Sequence, residues 1–335
     1  MTWPACAVDP PLGRSAAGGG QGLAQREGGD GSFSLWSGAY GEGFHSGRGA
    51  LREARETFLQ PSQLERFAAG ARLRVVEVCV GTGSNLALLL EACAARGIVL
   101  EWWGLELDPE PLALALASEA FRRPWQPATL RVLEEVWARG SWRSAQSRGR
   151  MLWGDARQTL AELGRERRGQ VDLVWHDAFS PQRCPQLWTV EVLGAAAALL
   201  APEGRWISYS SAAAVRETLR LVGLQLLALA IPEGLSAQGN AWSGGTLASP
   251  SPLGSSSLWR ELSAMERDHL ASGAGEPYRD PSGTADAAAI LHSRHAAQAV
   301  SRASGTRTAS SAWRRRWGVG RERSSSGAAT GRLRG

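Results

Sequence analysis

An apolar run that stops abruptly at two glycines constrains this chain more than any other feature: Leu73-Arg74-Val75-Val76-Glu77-Val78-Cys79-Val80-Gly81-Thr82-Gly83-Ser84-Asn85. A near-continuous β-branched run of this kind reads as a strand buried on both faces of a parallel sheet. Gly81 and Gly83 let the backbone turn sharply and approach a ligand, and the leucine-rich stretch from Ser84 to Arg96 has a helical pattern. Strand, glycine turn and helix together mark the ligand-side crevice of an α/β domain.

The spacing narrows the ligand. A dinucleotide loop needs a third glycine three residues after Gly83, and Leu86 stands there instead. Glu77 precedes Gly81 by four residues, which is the acid-x-x-x-Gly-x-Gly arrangement of class I S-adenosyl-L-methionine (SAM) methyltransferases. That ligand has no phosphate but carries an amino group and a sulfonium, so a carboxylate beside the loop is electrostatically apt.

Further strands follow in the order such a domain requires. Residues 100–108 read as a second strand ending in Glu106 and Asp108, about 20 residues past the loop, where α/β domains hydrogen-bond a ribose. Both acids fall on the same face of the strand, so either suits that role. Residues 150–156 read as a third strand ending in Gly154-Asp155, the place where methyltransferases commonly contact the adenine amine. Residues 171–176 form a fourth that delivers Asp177 and Phe179 to its carboxyl end, and 204–211 a fifth. Helical patterns cover 84–96, 109–122, 159–167, 188–200 and 212–222. An antiparallel hairpin of 223–231 with 241–248 would complete the sheet. The expected fold is therefore α/β and Rossmann-like, a mostly parallel seven-stranded sheet with helices on both faces and a ligand at the strand carboxyl ends.

Here the residues carry a family resemblance. Residues 40 to about 229 resemble the methyltransferase domain of the bifunctional tRNA 5-methylaminomethyl-2-thiouridine biosynthesis protein family, MnmC. Val80-Gly81-Thr82-Gly83-Ser84-Asn85 is similar to the family's F-G-T-G-x-N-F. The stretch Asp177-Ala178-Phe179-Ser180-Pro181 through Cys184-Pro185 to Trp188 is similar to its D-G-F-x-P-x-x-N-P-x-x-W, with Ala178 and Cys184 in place of the glycine and asparagine. Ser210-Ser211-Ala212 with Val215-Arg216 resembles T-S-A-x-x-V-R, and Phe44-His45-Ser46, Phe58-Leu59 and Arg66-Phe67 resemble the family's opening. No second glycine fingerprint follows residue 230, so the resemblance implies only the methyl-transfer step and not the FAD oxidase half. In that step, SAM converts an aminomethyl group on the tRNA wobble uridine to methylaminomethyl.

The resemblance and the strand ends together give a cofactor set of Glu77, Gly81, Thr82, Gly83, Asn85, Glu106, Asp108, Gly154, Asp155 and Asp177. Asp177 and Phe179 are the expected catalytic pair. Asp177 would accept a hydrogen bond or a proton from the amine, unless it merely staples its loop. Phe179 and Trp188 would stack on a flipped-out base, unless one or both are core, which Trp188 suits better. His176 should face away from Asp177 and sit in the core or behind the site.

Other chemistries fall away. Cys6, Cys79, Cys93 and Cys184 form no C-x-x-C pair, and the five histidines lack ligand spacing, so no metal is expected. No secretory leader or membrane span is apparent, and a cytoplasmic location is expected. The net charge of +5 sits in the tail, since residues 301–335 hold nine arginines against one glutamate. Arg314-Arg315-Arg316 between Trp313 and Trp317 would bind tRNA phosphates, or the tail is partnerless. The expected organisation is a disordered segment 1–32, a methyltransferase domain 33–252, a helical and loop extension 253–300 and a disordered tail 301–335. Two other readings stay open: methylation of a small amine or metabolite, and an RNA-binding protein without catalysis. Oligomeric state is not legible.

Overall fold

A computed structural model describes residues 22–231 and 243–319. Residues 1–21 of the expected segment 1–32, Ala241 and Trp242 of the expected last strand, and the tail beyond 319 lie outside the described residues. The strands are β1 (Leu23–Glu27), β2 (Phe33–Ser37), β3 (Glu42–Gly43), β4 (Arg72–Val78), β5 (Val99–Glu106), β6 (Ser141–Arg143), β7 (Ser147–Trp153), β8 (Val171–His176), β9 (Leu200–Ser208), β10 (Gln225–Leu229), β11 (Thr246–Ser249) and β12 (Trp259–Glu261). The helices are α1 (Ala50–Glu53), which runs through a π-helical turn (Ala54–Leu59) into α2 (Gln60–Ser62), α3 (Ser84–Arg96), α4 (Glu110–Ala117), α5 (Glu119–Arg122), α6 (Pro127–Arg139), α7 (Ala156–Arg167), α8 (Val190–Leu199), α9 (Ala213–Leu221), α10 (Ala264–Leu270), α11 (Ala287–Ala303) and α12 (Ser310–Trp317).

The main sheet has the order β12-β10-β11-β9-β8-β4-β5-β7-β6. Its five central strands, β9-β8-β4-β5-β7, are parallel. The β10–β11 hairpin closes it antiparallel to β9, as expected from the sequence. Among the described residues the strand count is nine rather than seven, because three-residue strands β12 and β6 add one antiparallel edge on each side. Both are too short for an alternation pattern to reveal them.

Adjacent tryptophans show how the sheet divides the core. On β5, Trp102 points into a cluster with α3, α6 and Phe58, while Trp103 points into the opposite cluster with α7, α8 and α9. Successive side chains on a strand alternate faces, so neighbouring indoles fill separate layers. Gly104 on β5 and Gly149 on β7 leave room for the Trp102 indole, which a Cβ at Gly104 would strike.

Helix α3 has the bounds the sequence predicts. The expected helix 109–122 is two helices broken at extended Ser118. Helix α6, which the periodicity reading passed over, begins with Pro127 and ends at left-handed Gly140, the sequence asymmetry that marks helix ends.

Two boundaries differ from expectation. Residues 23–27 are not an unstructured lead-in but strand β1, paired along β2 in a small β1-β2-β3 sheet. Residues 310–317 are not free tail but helix α12, anchored by buried Trp313, whose Nε1 donates to the Met265 carbonyl at 3.0 Å and whose ring stacks on His269. Trp313 is thus unavailable to flank a nucleic acid. The extension is tied to the domain by a buried pair, Arg216 with Glu266 at 2.8 Å. Glu266 also closes a capping box with Ser263 at the start of α10.

Candidate functional site

The carboxyl ends of the parallel strands open into a cavity of about 1260 Å³. Its floor is the loop after β4, where Cys79, Gly81 and Gly83 have φ of 67°, 55° and 81°. The backbone there is left-handed at alternate residues. Glycine tolerates that conformation freely, while Cys79 carries it at a cost of about 1–3 kcal/mol.

One carboxylate organises the floor. Glu106, the last residue of β5, accepts from the Gly81 amide at 2.9 Å and from the Leu107 and Asp108 amides at 2.7 and 3.0 Å. Burial pushes its carboxyl above the ordinary range despite these three donors. Asp108 is exposed and turns toward the start of α4, accepting from the Glu110 amide at 2.9 Å. Both acids line the cavity, and the geometry separates them: Glu106 reaches the glycine loop and Asp108 the Glu110 amide at the start of α4. On the next strand, Gly154 and Asp155 also line the cavity, and Asp155 caps α7 while bound by Arg157 at 2.6 Å.

The opposite end is carboxylate and aromatic. Asp177 accepts from Asn85 Nδ2 at 2.8 Å, which fixes its rotamer. Burial, then the nearby Glu53 carboxylate, push its carboxyl well above the usual range. Phe179 stacks on Tyr40 with ring centroids 4.4 Å apart and meets Phe44 edge-on at 5.0 Å. One face of Phe179 is therefore already covered by protein. Glu42 accepts from the Ser180 amide and hydroxyl at 3.1 and 2.8 Å, so the β2–β3 ribbon clasps the Asp177 loop. Tyr209 donates to the Ala178 carbonyl at 2.8 Å from the other side.

The structure brings the expected residues to one cavity except two. Glu77 is fully buried beneath the loop, its Oε2 accepting from Trp102 Nε1 at 2.9 Å and its Oε1 without a partner. Being on β4 itself, it supports the loop from below. Gly83 packs inward, where an added Cβ would come within 3.0 Å of Leu112 Cδ1, so it serves helix packing rather than the cavity wall. Trp188 is fully buried and donates to the Phe179 carbonyl at 2.7 Å, so it is core and not a stacking platform. His176 lies in the core against Trp188 and Trp206, and burial lowers its pKa to about 3.

Sequence reasoning missed Tyr40, Glu42, Glu53, Trp137, Arg157 and Tyr209, all of which line the cavity. Five of them lie outside the strand-end motifs, and Tyr209, inside the fifth expected strand, has nothing in its sequence neighbourhood to set it apart.

The fold is the Rossmann-like one of SAM-dependent methyltransferases. Residues 129–229 match the sequence model of a family described as S-adenosyl-L-methionine-dependent methyltransferase. The chain is 32% identical over 197 residues to the tRNA 5-methylaminomethyl-2-thiouridine biosynthesis bifunctional protein MnmC of Pseudomonas fluorescens (strain Pf0-1), covering 55% of this chain and 29% of that protein. The MnmC of Pseudomonas aeruginosa (strain UCBPP-PA14) is 33% identical over 202 residues, covering 56% and 30%. The chain thus spans about three tenths of the length of these curated relatives. The crystal structure of MnmC2 from Aquifex aeolicus superposes with a TM-score of 0.68 at 27% identity, covering 83% of this chain and 85% of that one. Over part of its length this chain is therefore similar to the methyltransferase portion of MnmC proteins. Among the described residues no helix is long and apolar enough to cross a membrane.

Proposed function

We propose that this protein methylates the aminomethyl nitrogen of a modified wobble uridine in tRNA, using SAM. The observation that carries the reading is one cavity with two chemically distinct ends, a glycine loop and Glu106 at one and Asp177 among aromatic rings at the other. Similarity to proteins named for 5-methylaminomethyl-2-thiouridine biosynthesis supports the choice of acceptor.

The residues fit the cofactor. A carboxylate offers about four lone-pair directions, and Glu106 uses three on backbone amides, leaving one for a ribose hydroxyl. Asp155 suits the adenine amine. The left-handed loop keeps side chains off the floor at Gly81, where a Cβ would press on Phe44 at 3.1 Å. When bound, SAM supplies a methyl group on an electron-poor sulfur. The protein must hold a neutral amine in line with that carbon, and such positioning accounts for much of the acceleration.

An aminomethyl group arrives mostly as an ammonium, so its proton must leave. Asp177, fixed by Asn85, accepts a hydrogen bond from the amine and takes that proton; its raised carboxyl pKa brings it closer to the amine's own. Tyr40, Phe44 and Phe179 surround the acceptor with ring edges and faces that favour a cation before transfer.

The test uses tRNA from cells lacking this modification step, which carries unmethylated aminomethyluridine. Incubated with the protein and SAM, it should yield methylaminomethyluridine by nucleoside mass spectrometry. Binding of SAM with no new methylated nucleoside, alongside methylation of a free amine, would move the acceptor to a small molecule.

A further inference from the structure

The segment between α10 and α11 reaches back over the methyltransferase domain. Tyr278 accepts from the Val190 amide at 3.0 Å, and the Asp280 amide donates to Glu191 Oε2 at 2.8 Å, so the strap is pinned to the start of α8. This seats Asp280 beside Arg157 of α7. Asp280 is 2% exposed; its Oδ1 accepts from Ser282 Oγ at 2.6 Å and its Oδ2 from Arg157 Nη1 at 2.9 Å. The same Nη1 donates to the Ala285 carbonyl at 2.8 Å.

The other edge of this guanidinium holds Asp155. Arg157 Nε donates to both carboxylate oxygens at 3.1 and 3.0 Å, and Nη2 donates to Oδ2 at 2.6 Å. The Arg157 amide adds a bond to Oδ1 at 2.9 Å. These bonds come from three N–H groups, the Nε proton being shared between both oxygens, and take about three of the roughly four acceptor directions of a carboxylate, which leaves about one for the cavity. A planar guanidinium pre-organises such a fork, which a lysine would not.

We infer that Asp280 is a positioning residue: through Arg157 it fixes the carboxylate of Asp155, so that residues 276–286 set how the site recognises the adenine amine of its cofactor. The inference rests on the cofactor reading above. It assigns a role to an extension that carries none of the glycine-loop or strand-end motifs.

A purely structural tie would change stability and leave ligand discrimination alone. The test therefore compares calorimetric affinities for S-adenosylhomocysteine and S-inosylhomocysteine, in which a carbonyl replaces the adenine amine. The wild-type protein should prefer the adenosyl form. Asp280→Asn keeps the size but removes the charge; it should weaken adenosyl binding about tenfold, the scale of one charge-assisted hydrogen bond, with inosyl binding little changed. Asp280→Glu should recover part of the preference. If Asp280→Asn fails to fold, Ser282→Ala, which removes the 2.6 Å bond to Asp280 together with the two bonds this hydroxyl accepts from Thr284, should reduce the preference about twofold. Variants that retain the wild-type preference, whatever their melting temperature, overturn the inference. A wild-type protein that binds the adenosyl form without preferring it overturns the inference alone; one that binds neither ligand overturns the cofactor reading as well.

Discussion

The two ends of the cavity are built on different principles. The proposed cofactor end rests on strand termini, so Gly81, Glu106 and Asp155 are held by sheet registers and by amides that converge on single carboxylates. The proposed acceptor end is assembled from segments far apart in the chain, with Tyr40 and Glu42 of the small ribbon meeting Phe179 and Ser180 of the loop after β8. Sheet registers fix a generic ligand, whereas a clasp between distant segments can change its acceptor without disturbing the sheet. Substrate range should therefore be set at the clasp and cofactor choice at the strand ends.

Substitutions can break that division of labour. Asp177→Ala should have the largest effect, lowering turnover about 10²- to 10⁴-fold while calorimetric SAM affinity stays within about twofold. Comparable losses in both would place Asp177 at the cofactor end instead. Glu106→Gln should do the converse, weakening SAM binding about tenfold or more through its three amide contacts, with turnover at saturation largely kept.

Paired aromatic changes sharpen the comparison. Trp188→Ala removes a fully buried indole and should cost about 3–5 kcal/mol in denaturant unfolding. Phe179→Leu should leave stability nearly intact and raise the KM for tRNA severalfold. A Phe179→Leu protein as unstable as Trp188→Ala would make the ring cluster scaffold and not site.

The smallest effect expected concerns Glu77. Its carboxyl pKa is raised to about 8 from 4.5, chiefly by burial and despite the Trp102 hydrogen bond. A raised folded-state pKa contributes stability below about 4.5 that is lost as pH rises through about 8. Glu77→Gln removes that dependence, so its melting advantage over wild type should grow by a few degrees between pH 5 and pH 9. A constant offset would mean that the carboxylate is solvated or paired on folding.

What could be read from the sequence follows the same division. The strand-turn-helix units announce themselves by local pattern, and α3 begins and ends where Ser84 and Arg96 suggest. Gly81, Asp155 and Asp177 come with those units because they sit at strand ends. Tyr40, Glu42 and Arg157 depend on long-range packing, and no short-range pattern distinguishes them from surface residues. Glu77 and Gly83 lie behind the cavity wall and not on it, since a motif position gives proximity to the loop and not the direction a side chain takes. Residues 23–27 and 310–317 were misplaced because short ordered pieces held by a ribbon partner or a single buried indole look compositionally like their neighbours.

The two added strands carry a last consequence. Among the described residues each outer margin of the main sheet ends in three residues, Ser141–Arg143 on one side and Trp259–Glu261 on the other, with Arg143 and Glu261 exposed and Arg260 paired with Glu266. Unpaired strand margins invite other chains to zip on, and brevity with charge is how proteins discourage it. By ending in blunt, charged stubs, this sheet resists aggregation by strand addition in a crowded cell.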